Sequence, residues 1–176
     1  MRPGPGEVLH FSEDPTITEF VPHVAATAQQ PEAYVWAVDH DRCPDYWFPR
    51  QCPRAMAWLG ENTTTADRLA ILGPSASRVH MVEYGWLEAI RRASVYAYRL
   101  AAEAFEPFGD PPHAMVSTVP VRPLGPPEPV GDLLALHDGA GIELRVVNNL
   151  WPWWDAVIAS TVEFSGIRLK NALPRP

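Results

Sequence analysis

The 176-residue sequence predicts an α+β fold, and three observations carry that expectation. About seven short runs have strand character, three or four segments have helical periodicity, and helices do not follow every strand as a doubly wound sheet requires. A content of 47% hydrophobic residues, seven Trp among them, against 20% charged residues supplies enough apolar surface for a core at this length. One domain is expected over residues 1–176, with 1–6 and 171–176 as irregular tails.

The elements follow in order. Residues 7–12, EVLHFS, form a first strand, Asp14-Pro15 makes a turn, and Phe20 stands as an isolated anchor. Residues 33–38, AYVWAV, have almost no polar interruption and read as a central strand covered on both faces. Residues 40–58 carry Pro44, Pro49 and Pro53, which forbid a long helix, so a structured loop packed by aromatics is expected. Thr65 caps a short helix over ADRLAIL that Gly73-Pro74 ends, and Arg78–Tyr84 reads as a strand. Trp86 and Ile90 lie four apart, with Leu87 adjoining, on a helix over 85–93; Ser94–Ala101 has the period of a strand. The loop FEPFGDPPH leads into the strand AMVST, Asp132 caps a helix over LLALH, and GIELRVV is a further strand. From Leu150 to Thr161, Trp154, Val157, Ile158 and Thr161 recur at helical spacing, with Pro152 in the first turn. Phe164–Leu169 closes as a strand or an extended tail.

Composition narrows the function. The formal net charge of −7, with Lys170 the only lysine among fourteen cations, argues against a protein that coats nucleic acid. The first ten residues lack the apolar stretch of an export signal, and no run is long enough to span a bilayer, so a soluble cytoplasmic protein without a membrane partner is expected. Cys43 and Cys52 are too few for a disulfide scaffold. The nucleophile elbow, the P-loop, GxGxxG and HExxH are all missing.

Four groups of residues invite chemistry. Asp39, His40, Asp41, Cys43 and Asp45 are dense in ligand types, but their spacing matches no closed motif and Pro44 constrains the turn, so no metal is expected. Tyr46, Trp47 and Phe48 precede Arg50 and Arg54, which places guanidinium forks beside an aromatic wall as nucleotide recognition requires; equally, the aromatics are core and the arginines cap loop carbonyls. Trp151, Trp153 and Trp154 read as packing. His10 and Ser12, two apart on a strand, share one face and can meet a ligand together.

At these residues the chain resembles the ADP-ribosyltransferase fold. LHFSEDPTITEF is similar to its opening strand, where a His begins an HGT- or HxS-like motif and contacts the ribose of NAD; His10 and Ser12 match. AYVWAVDHD resembles its second motif strand, with Trp36 in place of the Tyr that stacks on nicotinamide. VYAYRLAAEAFEPFGDPPHAMVSTVPVRPLG is similar in outline to the compact rifampin-modifying transferases, whose acidic catalytic residue falls in this loop, at Asp110 or Glu106 here. Together these stretches cover about a third of the chain. The chain departs from the pattern in lacking the Tyr hydroxyl and the Glu of the catalytic strand. YWFPRQCPR and the tail NLWPWWDAVIASTVEFSGIRLKNA also resemble an uncharacterised bacterial family of small proteins.

The resemblance implies two short mixed or antiparallel sheets forming a cleft, flanked by three or four helices. It implies NAD as substrate, a nucleotide as small-molecule partner, and transfer of ADP-ribose to an unknown acceptor or hydrolysis of NAD. His10 and Ser12 would orient ribose, Trp36 would stack on nicotinamide, Asp110 would stabilise the oxocarbenium, and Arg50 and Arg54 would assist binding. The alternative is a non-enzymatic nucleotide-binding or interaction protein that kept the fold and lost the chemistry. RNA 2′-phosphotransferase chemistry, which also uses NAD, fits poorly with the acidic balance.

Overall fold

Apolar runs cut short by 20 prolines cannot build long strands, and none of the ten described strands exceeds six residues. The computed structural model describes residues 1–24 and 31–176. The chain is α+β and clusters into two compact units, each made of two chain segments: Met1–Trp47 with Ser94–Gly131, and Phe48–Ala93 with Asp132–Pro176. No helix among the described residues is long and apolar enough to cross a membrane.

The first unit holds two three-stranded sheets. In one, β5 (Tyr96–Ala101) lies between β1 (Glu7–Ser12) and β8 (Glu128–Pro129), antiparallel to both. In the other, β7 (Ala114–Ser117) lies between β2 (Val35–Ala37) and β6 (Glu106–Phe108), again antiparallel. Alternation sends Val35 and Ala37 into a core with Val8, Phe20, Tyr98, Leu100, Phe105 and Val121. Tyr98 is fully buried, and its hydroxyl donates to the Asp14 carbonyl (2.6 Å) and accepts from the Ile17 N–H (3.1 Å), which fixes the turn after β1. On the opposite face of β5, Arg99 donates to Glu7 and to Glu128, each at 2.6 Å. These bonds hold the Glu128 carboxyl below its ordinary range; at Glu7 the Gly4 N–H adds the larger part of the same effect.

The second unit is built on one four-stranded sheet in the order β10 (Glu163–Ile167), β3 (Arg54–Trp58), β4 (Arg78–Glu83), β9 (Glu143–Val147). Only β4 and β9 run parallel, which demands a crossover, and that crossover includes the whole second segment of the first unit. One face packs Ala55, Ala57, Val79 and Met81 against α4 (Trp151–Ile158), with Trp153 and Trp154 in contact. Gly166 permits this: a Cβ there would lie 2.8 Å from the Trp154 ring. A short helix α1 (Thr65–Asp67) is capped by Thr64, whose hydroxyl accepts the Asp67 N–H at 3.1 Å, and runs into a widened turn over Arg68–Leu72. Two further helices, α2 (Leu87–Arg92) and α3 (Leu133–Gly139), complete the unit, and the Asp132 carboxylate caps α3 by accepting from Leu134 and Ala135.

The other face of β4 buries a polar chain. His80 and His137 are 0% and 1% exposed, yet donors and acceptors alternate consistently along the chain. Arg78 Nε donates to His80 Nε2 (3.0 Å), so His80 carries its proton on Nδ1 and donates to His137 Nε2 (3.0 Å), whose Nδ1–H donates to the Leu133 carbonyl (2.7 Å). Both imidazoles are therefore neutral. Burial, first, then His137, Arg78 and Arg54 push His80 well below the ordinary histidine value; burial and Arg78 lower His137 against the opposing pull of the Leu133 carbonyl.

Several expectations need correction. Three sheets stand among the described residues, not two. Residues 33–38 were expected as a central strand, but β2 has three residues and lies at a sheet edge; its apolar run is explained by burial of Val35 and Ala37 on one side and aromatic cover of Trp36 on the other. Residues 54–58, assigned to a loop for their prolines, form β3, because Pro53 precedes the strand and removes no ladder bond from it. Likewise β6 crosses the loop FEPFGDPPH, with Pro107 tolerated on an edge strand. The helix cap is Thr64, one residue before Thr65.

The histidine chain sets an acid limit. Unfolded imidazoles take protons near 6.5 and the folded ones only below that, so stability is complete above this value and is lost as pH falls beneath it. We expect the melting temperature to drop from about pH 7 to about pH 5, and His137→Leu, which orphans the buried His80 donor, to cost about 1–3 kcal/mol in urea unfolding with a shallower acid dependence. An unchanged urea midpoint contradicts this assignment.

Candidate functional site

A pocket of about 70 Å³ lies in the first unit, lined by Leu9, His10, Phe11, Trp36, Ala37, Val38, Tyr46 and Ala114. Three consecutive residues of β1 contribute to it. Because neighbours on a strand point to opposite faces, such a wall is the strand's margin and not its face. The margin is where β1 meets β2: Leu9 and Val38 exchange both backbone bonds, at 2.9 and 2.8 Å. Tyr46 enters from the tight turn Cys43–Tyr46 and stacks on Phe11 with ring centroids 6.5 Å apart and planes 10° from parallel.

His10 is fixed from two sides. A carbonyl only accepts, so the 2.7 Å contact between His10 Nδ1 and the Trp36 oxygen places the proton on Nδ1. The ring also packs 4.5 Å from Phe20, which itself pairs with Val121 by backbone bonds. Trp36 sits against Phe108 at 5.1 Å and Tyr34 at 5.7 Å, both edge-on. Its indole N–H is buried and finds no acceptor among the described residues. A buried donor in that condition is costly.

The residues expected from the sequence separate into three groups. His10 and Trp36, 26 positions apart, line the same pocket. Ser12 shares the His10 face of β1 but does not line the pocket; it is 5% exposed and its hydroxyl accepts the Asp14 N–H at 3.1 Å. Asp110 is exposed in the loop between β6 and β7, four residues before the pocket residue Ala114. Arg50 and Arg54 belong to the second unit. Arg50 is exposed, whereas Arg54 is 2% exposed, donates to the Cys52 carbonyl (2.9 Å) and lies 5.2 Å from the Phe48 ring centre. Of the two readings left open for the aromatic loop, Arg54 follows the one in which arginine caps loop carbonyls. Of the aromatic wall expected at Tyr46, Trp47 and Phe48, only Tyr46 lines the pocket; Phe11, which also lines it, carried no signal beyond its aromatic character on a strand.

The ligand-rich stretch after β2 serves the backbone. Asp39 accepts from the N–H groups of Asp41 (3.1 Å) and Arg42 (2.9 Å), His40 and Asp41 are exposed, and Cys43 and Asp45 are buried. Among the described residues no three His, Cys, Asp or Glu side chains group to hold a metal ion.

The chain matches DUF6886, described as a family of unknown function, over residues 9–172. No curated protein and no solved structure matches it.

Cys43 and Cys52 are both unpaired and 0% exposed, and burial pushes each thiol up to about 12 against the attraction of Arg2 and Arg54 respectively. At about pH 8 the folded protein should therefore react with an aromatic disulfide reagent at least about 100-fold more slowly than the unfolded chain. Rapid labelling of either thiol in the folded protein contradicts the closed packing of these two turns.

Proposed function

Because the chain belongs to DUF6886, a family of unknown function, its activity has to be read from its own pocket, and we propose that the first unit binds a nucleotide there, NAD being the candidate of choice. One observation carries the reading: His10 and Trp36, two of the residues that the ADP-ribosyltransferase resemblance assigns to NAD, line a single small pocket, although Ser12, assigned with them, does not. Its 70 Å³ has room for roughly five water molecules, the space of one substituted ring. The nicotinamide end of NAD is the part that suits it, with ribose and phosphates outside. The apolar and aromatic lining favours a ring.

Transfer chemistry needs more. The bond between ribose C1′ and the nicotinamide nitrogen breaks with its electron pair leaving on nicotinamide, and the oxocarbenium left behind requires a nearby carboxylate. An acceptor heteroatom, or water in hydrolysis, then bonds to C1′ and gives up a proton. Asp110, in the loop leading to Ala114, is the carboxylate assigned to that task. A second reading, nucleotide binding without transfer, is favoured by the lack of any carboxylate among the eight pocket-lining residues.

Calorimetric titration with NAD should give saturable heat, with affinity reduced about tenfold or more in His10→Ala and in Trp36→Ala, since either change opens the ring site. Released nicotinamide that disappears in Asp110→Asn supports transfer; binding without release supports the second reading. No heat at millimolar NAD overturns the nucleotide site.

A further inference from the structure

Residues 172–175 lie on the second unit in the manner of a bound peptide. Ala172 has φ −68° and ψ 162°, the polyproline II region, and a residue before proline, as Leu173 is, favours the same region. Along this extended segment the Leu173 and Pro174 backbone groups and the Arg175 side chain meet partners. The Leu173 N–H donates to the Glu83 carboxylate at 3.0 Å, and the Leu173 carbonyl accepts the Trp151 indole N–H at 2.6 Å. The Pro174 carbonyl accepts from Asn149 Nδ2 at 2.9 Å. Arg175 donates to both oxygens of Asp155, at 2.6 and 2.8 Å, while its guanidinium carbon stands 4.1 Å from the centre of the Trp151 ring. Ala172 packs against the Ala55, Met81 and Leu150 cluster, but Leu173 is 52% exposed, so apolar burial is not what holds residues 173–175.

The groups that receive it are fixed independently. Glu83 is 2% exposed and also accepts the Leu150 N–H at 3.1 Å; Asn149 Oδ1 accepts the Trp151 N–H at 2.9 Å, which orients the amide so that its nitrogen faces Pro174. A flat indole offering its N–H to a carbonyl, beside an acid that takes a cation, is the chemistry by which proline-rich segments are read.

We propose that Glu83, Asn149, Trp151 and Asp155 form a recognition site for a Leu-Pro-Arg segment in polyproline II conformation, occupied in cis by residues 173–175, which a Leu-Pro-Arg segment of another protein displaces. The site lies outside the unit that carries the nucleotide pocket, so it goes beyond that function and stands without it. Leu173, Pro174 and Arg175 are all exposed, and the ion pair is half-exposed on both sides, so the cis segment is of the kind that opens locally. Its tether gives it an effective concentration on the order of millimolar, which a free segment has to overcome.

The test uses the full chain and a fluorescein-labelled Ala-Leu-Pro-Arg-Pro peptide followed by anisotropy. The double variant Pro174→Gly, Arg175→Ala loosens the cis segment without touching the receiving groups. It should bind the peptide about tenfold more tightly than the parent, because the fraction of open sites rises. A peptide with Gln in place of Arg should bind at least about tenfold more weakly, and Trp151→Phe on the loosened background, which keeps a ring but loses the N–H, should weaken binding similarly. The peptide comparison needs no further protein variant, so a Trp151→Phe protein that fails to fold leaves the test intact. Absence of saturable binding to the loosened variant, or equal binding of the Gln peptide, overturns the proposal. So does a parent protein that dimerises with rising concentration while the loosened variant stays monomeric, since the occupant is then the segment of a second copy.

Discussion

The exchange of backbone hydrogen bonds between Leu9 and Val38 is the constraint on which the first unit depends. β1 belongs to one sheet and β2 to the other, and this bridge, reinforced by the His10 imidazole on the Trp36 carbonyl, ties them margin to margin. Two small sheets of three strands bury little apolar surface apiece. Joined here, they enclose the core of Val35, Ala37, Tyr98 and Leu100 on one side and leave an aromatic pocket along the seam. The pocket is thus a by-product of how the unit holds together, and its histidine is positioned by structure before any ligand arrives.

In the second unit charged and imidazole groups sit inside or against the sheet and are given partners. The histidine chain on one face of β4 and the Glu83 carboxylate on the other each satisfy backbone or side-chain groups of elements remote in sequence, Leu133 in α3 for the first and Leu150 and Leu173 for the second. Such bonds add less net stability than apolar packing of equal volume, but they penalise misplacement, because a neutral imidazole pair with assigned donors and acceptors tolerates one register.

Much of this was legible in the sequence, for identifiable reasons. β1, β4, β5, β7 and β9 follow from alternation or from apolar runs bounded by turn residues, and Asp132 announced α3 as a cap. The turn after β1 and the anchor Phe20 were likewise visible. What escaped was set by distance along the chain. β3 looked like a proline loop until its partners β4 and β10 supplied ladders on both sides, and the edge position of β2 is decided by β7, some 80 residues later. At the site, the spacing of His10 and Ser12 showed that they share a face, yet not that Ser12 would be consumed by the Asp14 N–H. Arg54 next to aromatics suggested an anion site, whereas its burial against Cys52 and Phe48 is a packing role that no local pattern reveals.

The interleaving of the two units bears on how the chain is born. During synthesis β1 emerges early, but its partner β5 follows some 90 residues later, after β3 and β4. At ordinary translation rates this leaves the β5-facing edge of the strand unpaired for on the order of ten seconds. An unpaired apolar edge is a template for wrong pairings, and β3 and β4 emerge within that interval. The protein therefore has a built-in delay during which one edge of its first strand is exposed to wrong pairing.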